Sequence, residues 1–339
     1  MADEQELLVL RPEGLYCPAA DVYIDPWRPV ARAIITHAHA DHARRGHGAY
    51  LAHDASAPLL RARLGPDIAL QTLPYGERLC LHGVQISLHP AGHVLGSAQV
   101  RLAHAGQVWV VSGDYRVEAD ATCIPFEPVC CDVFITESTF GLPIYRWRPQ
   151  AQLMAEIQAW WQANAAQGCA SVLYTYALGK AQRVLAGLER GPGPIVVHGA
   201  VHAINQAYGQ AGVRLPTAVP IDVVAKADWT RALVLAPPAT QGSAWLRRLG
   251  DCADAMVSGW MQVRGQRRRR GVDAGFALSD HADWPGLLQA IAATGAHRVR
   301  VTHGHVAPLV RYLREQGLDA QPLATPYQGE AGAEPELQG

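Results

Sequence analysis

The chain has 339 residues, 49% hydrophobic and 17% charged, which is long enough for two domains with a buried core. A formal net charge of −1 removes bulk electrostatics as a reason to bind a polyanion, so any such binding rests on local patches. No apolar stretch reaches the ~20 residues that cross a bilayer, and seven scattered cysteines without a Cys-x-x-Cys pair exclude a disulfide framework or Cys-based zinc finger, so a cytoplasmic location is expected.

The run Ala33-Ile34-Ile35-Thr36 reads as a strand and ends in His37-Ala38-His39-Ala40-Asp41-His42, four metal-ligand side chains in six residues. Alternate side chains of an extended strand end share one side, so His37 and His39 can grip one ion. Asp41 and His42 follow where the chain turns and can reach a second. Two divalent ions about 3.5–4 Å apart are the device of many phosphatases and nucleases. A solvated histidine-rich loop is the plain alternative.

Further apolar runs follow, each with a titratable group at its end. Val84 to Leu88 precedes His93, Val108 to Val111 precedes Asp114, and Val133 to Thr136 precedes Glu137. From residue 148 the order becomes helix, strand, helix, strand, with no ligand motif. A helix is expected from Gln150 to Gln167, closed by Gly168, with Leu153, Ile157, Trp160 and Trp161 on one face. Strands are expected at Val172 to Tyr174, Ile195 to Val197 and Leu233 to Leu235, and a helix carrying Val184, Leu185 and Leu188 opens near Gly179. Residues 148–265 therefore read as a domain inserted between segments 1–147 and 266–327. In the last segment Phe276 to Leu278 leads to His281 and Val299 to Thr302 to His303, with helices at Pro285 to Thr294 and Ala307 to Gln316. Residues 328–339 are rich in Gly, Glu and Pro and read as a disordered tail. The chain is α/β, and strand ends on one sheet edge converge, which is where ligands sit in related architectures.

Two basic features are candidate phosphate or DNA contacts. Lys180, in Leu178-Gly179-Lys180-Ala181, lies where a helix start offers backbone N–H groups, although no Walker loop is present. Arg264, Arg267 and Arg268 belong to a basic stretch before the strand leading to His281. A simple helix start and a solvated loop are the respective alternatives.

Together His37-x-His39-x-Asp41-His42, Gly92-His93 and Ser112-Gly113-Asp114 resemble the metallo-β-lactamase fold signature, which implies an αββα sandwich with a dinuclear site. Asp25, in Ile24-Asp25-Pro26, is similar to the first acidic motif of that fold, which orients the metal loop. Glu137-Ser138-Thr139-Phe140-Gly141, Ser279-Asp280-His281-Ala282-Asp283 and Thr302-His303-Gly304 resemble motifs A, B and C of the β-CASP nucleases, whose inserted α/β domain matches 148–265. Tyr176-Ala177-Leu178-Gly179-Lys180-Ala181-Gln182 looks most like the bacterial ligase-associated DNA exonucleases. Asp280, where a small residue is usual, and His305, where Glu is usual, depart from the pattern.

The resemblance implies that His37, His39 and His93 hold one metal, that Asp41, His42 and His303 hold the other, and that Asp114 bridges them. Nitrogen and oxygen donors suit zinc, with manganese the alternative. It implies His281 as general acid, paired with Glu137. The expected function is a two-metal DNA exonuclease of DNA repair that leaves 5′-phosphate products and starts at 5′ ends. DNA is the expected partner, with a repair ligase and a helicase as companions. An RNA-processing nuclease of the same family is the first alternative and a thioester or lactone hydrolase the second.

Overall fold

The computed structural model describes residues 6–326, the side chains of Arg264, Gln266 and Arg267 excepted. The tail expected at 328–339 lies outside the described residues. Contacts divide the chain into two compact units, one formed by residues up to Ile144 and from His281 onward, the other by Tyr145–Asp280. The sequence pattern predicts these borders at 147/148 and 265/266. The second falls later because Ala274–Phe276 pairs in parallel with Ala255 to Val257 and so stays with the middle segment.

The first unit opens with a six-stranded sheet: β1 (Val9–Arg11), β2 (Gly14–Cys17), β3 (Val22–Ile24), β4 (Arg32–Ile34), β5 (Ala49–Ala52) and β6 (Leu70–Thr72), in that order. The first three are antiparallel and the rest run parallel, with α1 (Ala57–Leu64) between β5 and β6. A second sheet begins as an antiparallel meander of β7 (Arg78–Leu81), β8 (Val84–Pro90), β9 (Ala98–His104) and β10 (Gln107–Val111), which β11 (Val133–Thr136) joins in parallel.

The second unit alternates α2 (Gln150–Ala166), β12 (Ala170–Tyr174), α3 (Lys180–Gly187), β13 (Ile195–Val197), α4 (Gly199–Gln210), β14 (Leu233–Ala236), α5 (Ala244–Arg247), β15 (Cys252–Val257), α6 (Arg264–Arg270) and β16 (Ala274–Phe276). Its five strands are all parallel, in the order β13-β14-β12-β15-β16. Central β12 is buried along its whole length, as a parallel strand covered on both faces must be. Leu173, Leu233 and Leu235 pack with Leu153, Ile157 and Trp161 of α2 in one core, while Val172 and Val234 join Leu246 and Met256 in another. Trp161 is fully buried with its Nε1 donating to Arg231 O (2.8 Å), and Trp160 packs edge-on against Phe276, so both serve the core.

The chain then returns to the first unit through α7 (Trp284–Thr294), β17 (Arg298–Val301), α8 (Val306–Glu315) and β18 (Asp319–Pro322), completing a seven-stranded sheet ordered β18-β17-β11-β10-β9-β8-β7. Asp283 caps α7 by accepting from Gly286 N (2.9 Å), with Pro285 in the first turn. One face of this sheet meets the first sheet through Ile24, Ile34, Ile86, Val100, Trp109 and Ile135. Val110, Phe134, Val299 and Val301 of the other face meet Leu287, Ile291, Leu309 and Leu313 of α7 and α8. The first unit is thus a sheet-on-sheet sandwich with helices on its outside.

Candidate metal centre

The histidine-rich segment leaves the sheet just after β4, and a small polar network sets its course. Asp25 follows β3 with φ 42°, and its Oδ1 accepts Thr36 N at 2.8 Å. Its Oδ2 accepts the Thr36 hydroxyl at 2.6 Å and His42 Nδ1 at 2.7 Å. That bond sets the His42 tautomer, leaving Nε2 directed at Asp114 Oδ2 (3.4 Å) and Asp41 Oδ2 (3.8 Å).

Two glycines bring the other donors close. Gly92 has φ +70°, and a Cβ there would meet Arg116 O at 2.3 Å, so only glycine permits the turn that delivers His93. Gly113, at φ +57°, lies so near Thr36 that a Cβ would approach its side chain to 2.7 Å. Asp114 then enters the centre. Its Oδ2 lies 3.4 Å from His42 Nε2, 3.6 Å from His37 Nε2, 3.9 Å from His93 Nε2 and 4.0 Å from His281 Nδ1. His93 Nε2 is 3.1 Å from His39 Nδ1, and the His303 ring stacks on His42 at 5.3 Å between centroids.

Donors at 2.0–2.1 Å from one tetrahedral ion stand about 3.3 Å apart, and this centre has that spacing. His37, His39, His93 and Asp114 each offer one atom, all within 4.8 Å of one another. Among the described residues His37 Nε2 and Asp114 Oδ1 are buried without a hydrogen-bond partner. A buried polar atom left so costs about 1–3 kcal/mol, and ligation of a cation would remove that cost. The residues therefore fit divalent ions, with nitrogen and oxygen donors only.

Titration agrees with that fit. Burial holds His37 well below the usual imidazole range and lowers His303 as well, which keeps lone pairs available. Burial also opposes charge on His42, but Asp114, Asp41 and Asp25 outweigh it and raise the ring. Asp114 is held well below the carboxylate range by His42, His281 and His37 in spite of its burial. An ion at His42 would take the place of a proton.

Glu137, at the end of β11, forms a second polar knot. Its Oε1 accepts Tyr115 N (2.7 Å), its Oε2 accepts the Thr139 hydroxyl (2.5 Å), and His281 Nδ1 lies 2.9–3.0 Å from both oxygens. Burial raises Glu137, with His281 pulling against it. Tyr115 O also accepts Ala282 N at 2.7 Å, so one backbone unit aligns both partners. His303 follows β17 with a left-handed φ of 57°, held where the Ser138 hydroxyl donates to His303 O and, at 3.2 Å, to Thr302 O. His305 N donates to Ser138 O (2.8 Å), its backbone serving this same loop. Ser138, Tyr115 and Thr36 carried no signal of these roles beyond their places beside the motifs.

Lys180, expected as a candidate phosphate contact, is fully buried, its Nζ 3.2 Å from Asp280 Oδ1 and 4.6 Å from the Tyr176 ring centre. The lysine and the unusual Asp280 explain each other. Arg268 is exposed on α6, while the side chains of Arg264 and Arg267 lie outside the described residues.

No family model matches the chain. Over 321 residues, 94% of its length, the chain is 34% identical to a protein named Probable DNA ligase from Opitutus terrae, of which it spans 31%. Over 125 residues, 35% of its length, it is 34% identical to Endoribonuclease ysh1 of Emericella nidulans, spanning 14% of that protein. Over 122 residues it is 31% identical to Cleavage and polyadenylation specificity factor 73 of Drosophila melanogaster, spanning 18% of it. The chain belongs to the β-CASP nuclease family of the metallo-β-lactamase fold. A crystal structure of a protein of unknown function from Enterococcus faecalis aligns over 88% of this β-CASP chain and 80% of its own, with TM-score 0.57 and 12% identity, which speaks to fold alone. The β-CASP chain thus spans at most a third of these curated relatives. Among its described residues no helix is long and apolar enough to cross a membrane.

Proposed function

We propose that the protein is a two-metal phosphodiesterase that trims DNA ends in repair and leaves 5′-phosphate products. The observation that carries this reading is the gathering of His37, His42, His93 and His281 within 4.0 Å of one carboxylate oxygen, Asp114 Oδ2. His37, His39, His93 and Asp114 would hold one ion, and Asp41, His42 and His303, with Asp114 between, the other. Divalent ions supply Lewis acidity at phosphorus and a nucleophile from water near neutral pH. Zinc suits the imidazoles, and manganese the carboxylates.

The chain's own residues supply the rest. Glu137 engages His281 at Nδ1, which directs Nε2 to give a proton to the departing sugar oxygen. Asp25 keeps His42 in the ligating tautomer. Arg268, exposed on α6, is a candidate contact to the backbone of the strand. Likeness to a ligase-named protein along nearly the whole chain favours DNA and a repair ligase as companion. Likeness to an endoribonuclease over a third of the chain favours RNA as the second reading.

Incubating the protein with 5′- and 3′-labelled DNA and RNA, single- and double-stranded, with zinc, manganese or chelator, separates the two. Stepwise shortening of DNA that stops with chelator is expected. Preferential cutting of RNA would transfer the assignment to the second reading, and no cleavage of either polymer would end both.

A further inference from the structure

We infer that Arg63, in the last turn of α1, is a positioning residue that brackets the metal-binding loop and keeps its ligand side chains in register. Its Nη1 donates to Ala38 O at 2.5 Å and to Ala43 O at 3.3 Å. Ala38 sits between His37 and His39, and Ala43 follows His42 directly, so one guanidinium grips the segment at both ends. Both alanines are buried, at 0% and 1% exposure, where a carbonyl left without a donor is costly. The turn between them is tight, with His42 N and Ala43 N both donating to His39 O at 3.2 and 2.8 Å.

The bracket is reciprocal. Arg45, three residues beyond His42, donates from Nη2 to Arg63 O at 2.9 Å, so the loop in turn holds the end of α1. Asp25 grips the same segment through Thr36 and His42, on its inner side. A planar guanidinium holds two acceptors at a set separation, which a lysine ammonium on a flexible stem does not. Outer partners of this kind are worth about 10- to 100-fold in metal affinity. The inference rests on reading this loop as the ligand-bearing one, and it does not depend on which polymer is cut.

The test compares full-length wild type, Arg63→Met and Arg63→Lys. Zinc affinity is measured by competition with a chromophoric chelator, and amide exchange of residues 39–43 is followed in the metal-free protein. Arg63→Met is expected to weaken zinc by about 10- to 100-fold and to speed exchange at His42 and Ala43, and Arg63→Lys to recover part of both. Unchanged affinity in Arg63→Met overturns the proposal, and a lowered melting temperature with wild-type affinity does so equally, since that marks a merely structural role. Should Arg63→Met fail to fold, wild-type affinity and exchange in Arg63→Lys overturn it. Failure of the wild type to bind zinc would do so too. Wild-type protein that binds zinc and cuts no nucleic acid would sink the functional reading alone.

Discussion

Each unit of this protein buries charge, and the two do so in opposite ways. In the second unit Lys180, at the start of α3, and Asp280, in the segment after β16, lie 3.2 Å apart and are both buried. In the first unit His37 and His42, after a strand of the first sheet, crowd together with His93, Asp114, Glu137, His281 and His303 at no more than 8% exposure, and Asp114 answers several imidazoles at once. Asp25 and His303 there also take left-handed backbone conformations, each at a cost of about 1–3 kcal/mol. A closed pair anchors a segment. An open cluster, strained and with orphaned atoms, is stable only at the expense of packing elsewhere and gains from a bound cation.

Variants can break that contrast. Asp114→Ala is expected to have the largest effect, because in the proposed two-ion arrangement both ligand groups would share this carboxylate; metal analysis should show both ions lost, with activity falling by more than the roughly 10²- to 10⁴-fold an acid alone supplies. Retention of two tightly bound ions would refute the shared role. His281→Ala comes next, with turnover down about 10²- to 10⁴-fold and metal content at the wild-type level. Full activity in that variant would remove His281 from the chemistry.

In the closed pair the expected loss is in stability. Lys180→Met removes one charged partner of the buried Asp280, at about 3–5 kcal/mol in urea unfolding, and the double variant Lys180→Met/Asp280→Leu should recover part of it. The smallest effect concerns an ordinary buried histidine. His53 stacks on Tyr75 at 3.5 Å between ring centres, and burial lowers its pKa below 6.5. The unfolded chain then takes up the proton first, so His53 contributes stability that is full above 6.5 and fades as pH falls through the depressed folded value. His53→Phe keeps the stack, and its urea midpoint should vary less than wild type between pH 7.5 and 5.5; an identical slope would show that the cluster alone sets the acid sensitivity.

Much of this was readable along the chain. The strand ends that carry the buried donor groups were legible because a strand's apolar run and the polar group after it are neighbours in sequence, as with Val108 to Val111 and Asp114. Helix α2 showed its buried face through Leu153, Ile157 and Trp161, and its end through Gly168. Elsewhere the local signal was weak. The strand β15 carries Asp254 within its Cys252–Val257 run, and α4 (Gly199–Gln210) opens on glycine, so neither has a clean period; strand pairing and the sheet beneath them decide their form.

The amino-acid sequence by itself determined the kinds of donor present, their spacing after strands, and the α/β alternation, since all three depend on the pleat and turn geometry of adjacent residues. Tertiary structure decided which charges are partnered. Lys180 meets Asp280, Glu137 meets His281 and Arg63 meets Ala38 and Ala43 only once distant segments fold together. A side chain's charge is written in its own residue. Whether burial leaves that charge paired, or available to a cation, depends on neighbours that local spacing does not encode.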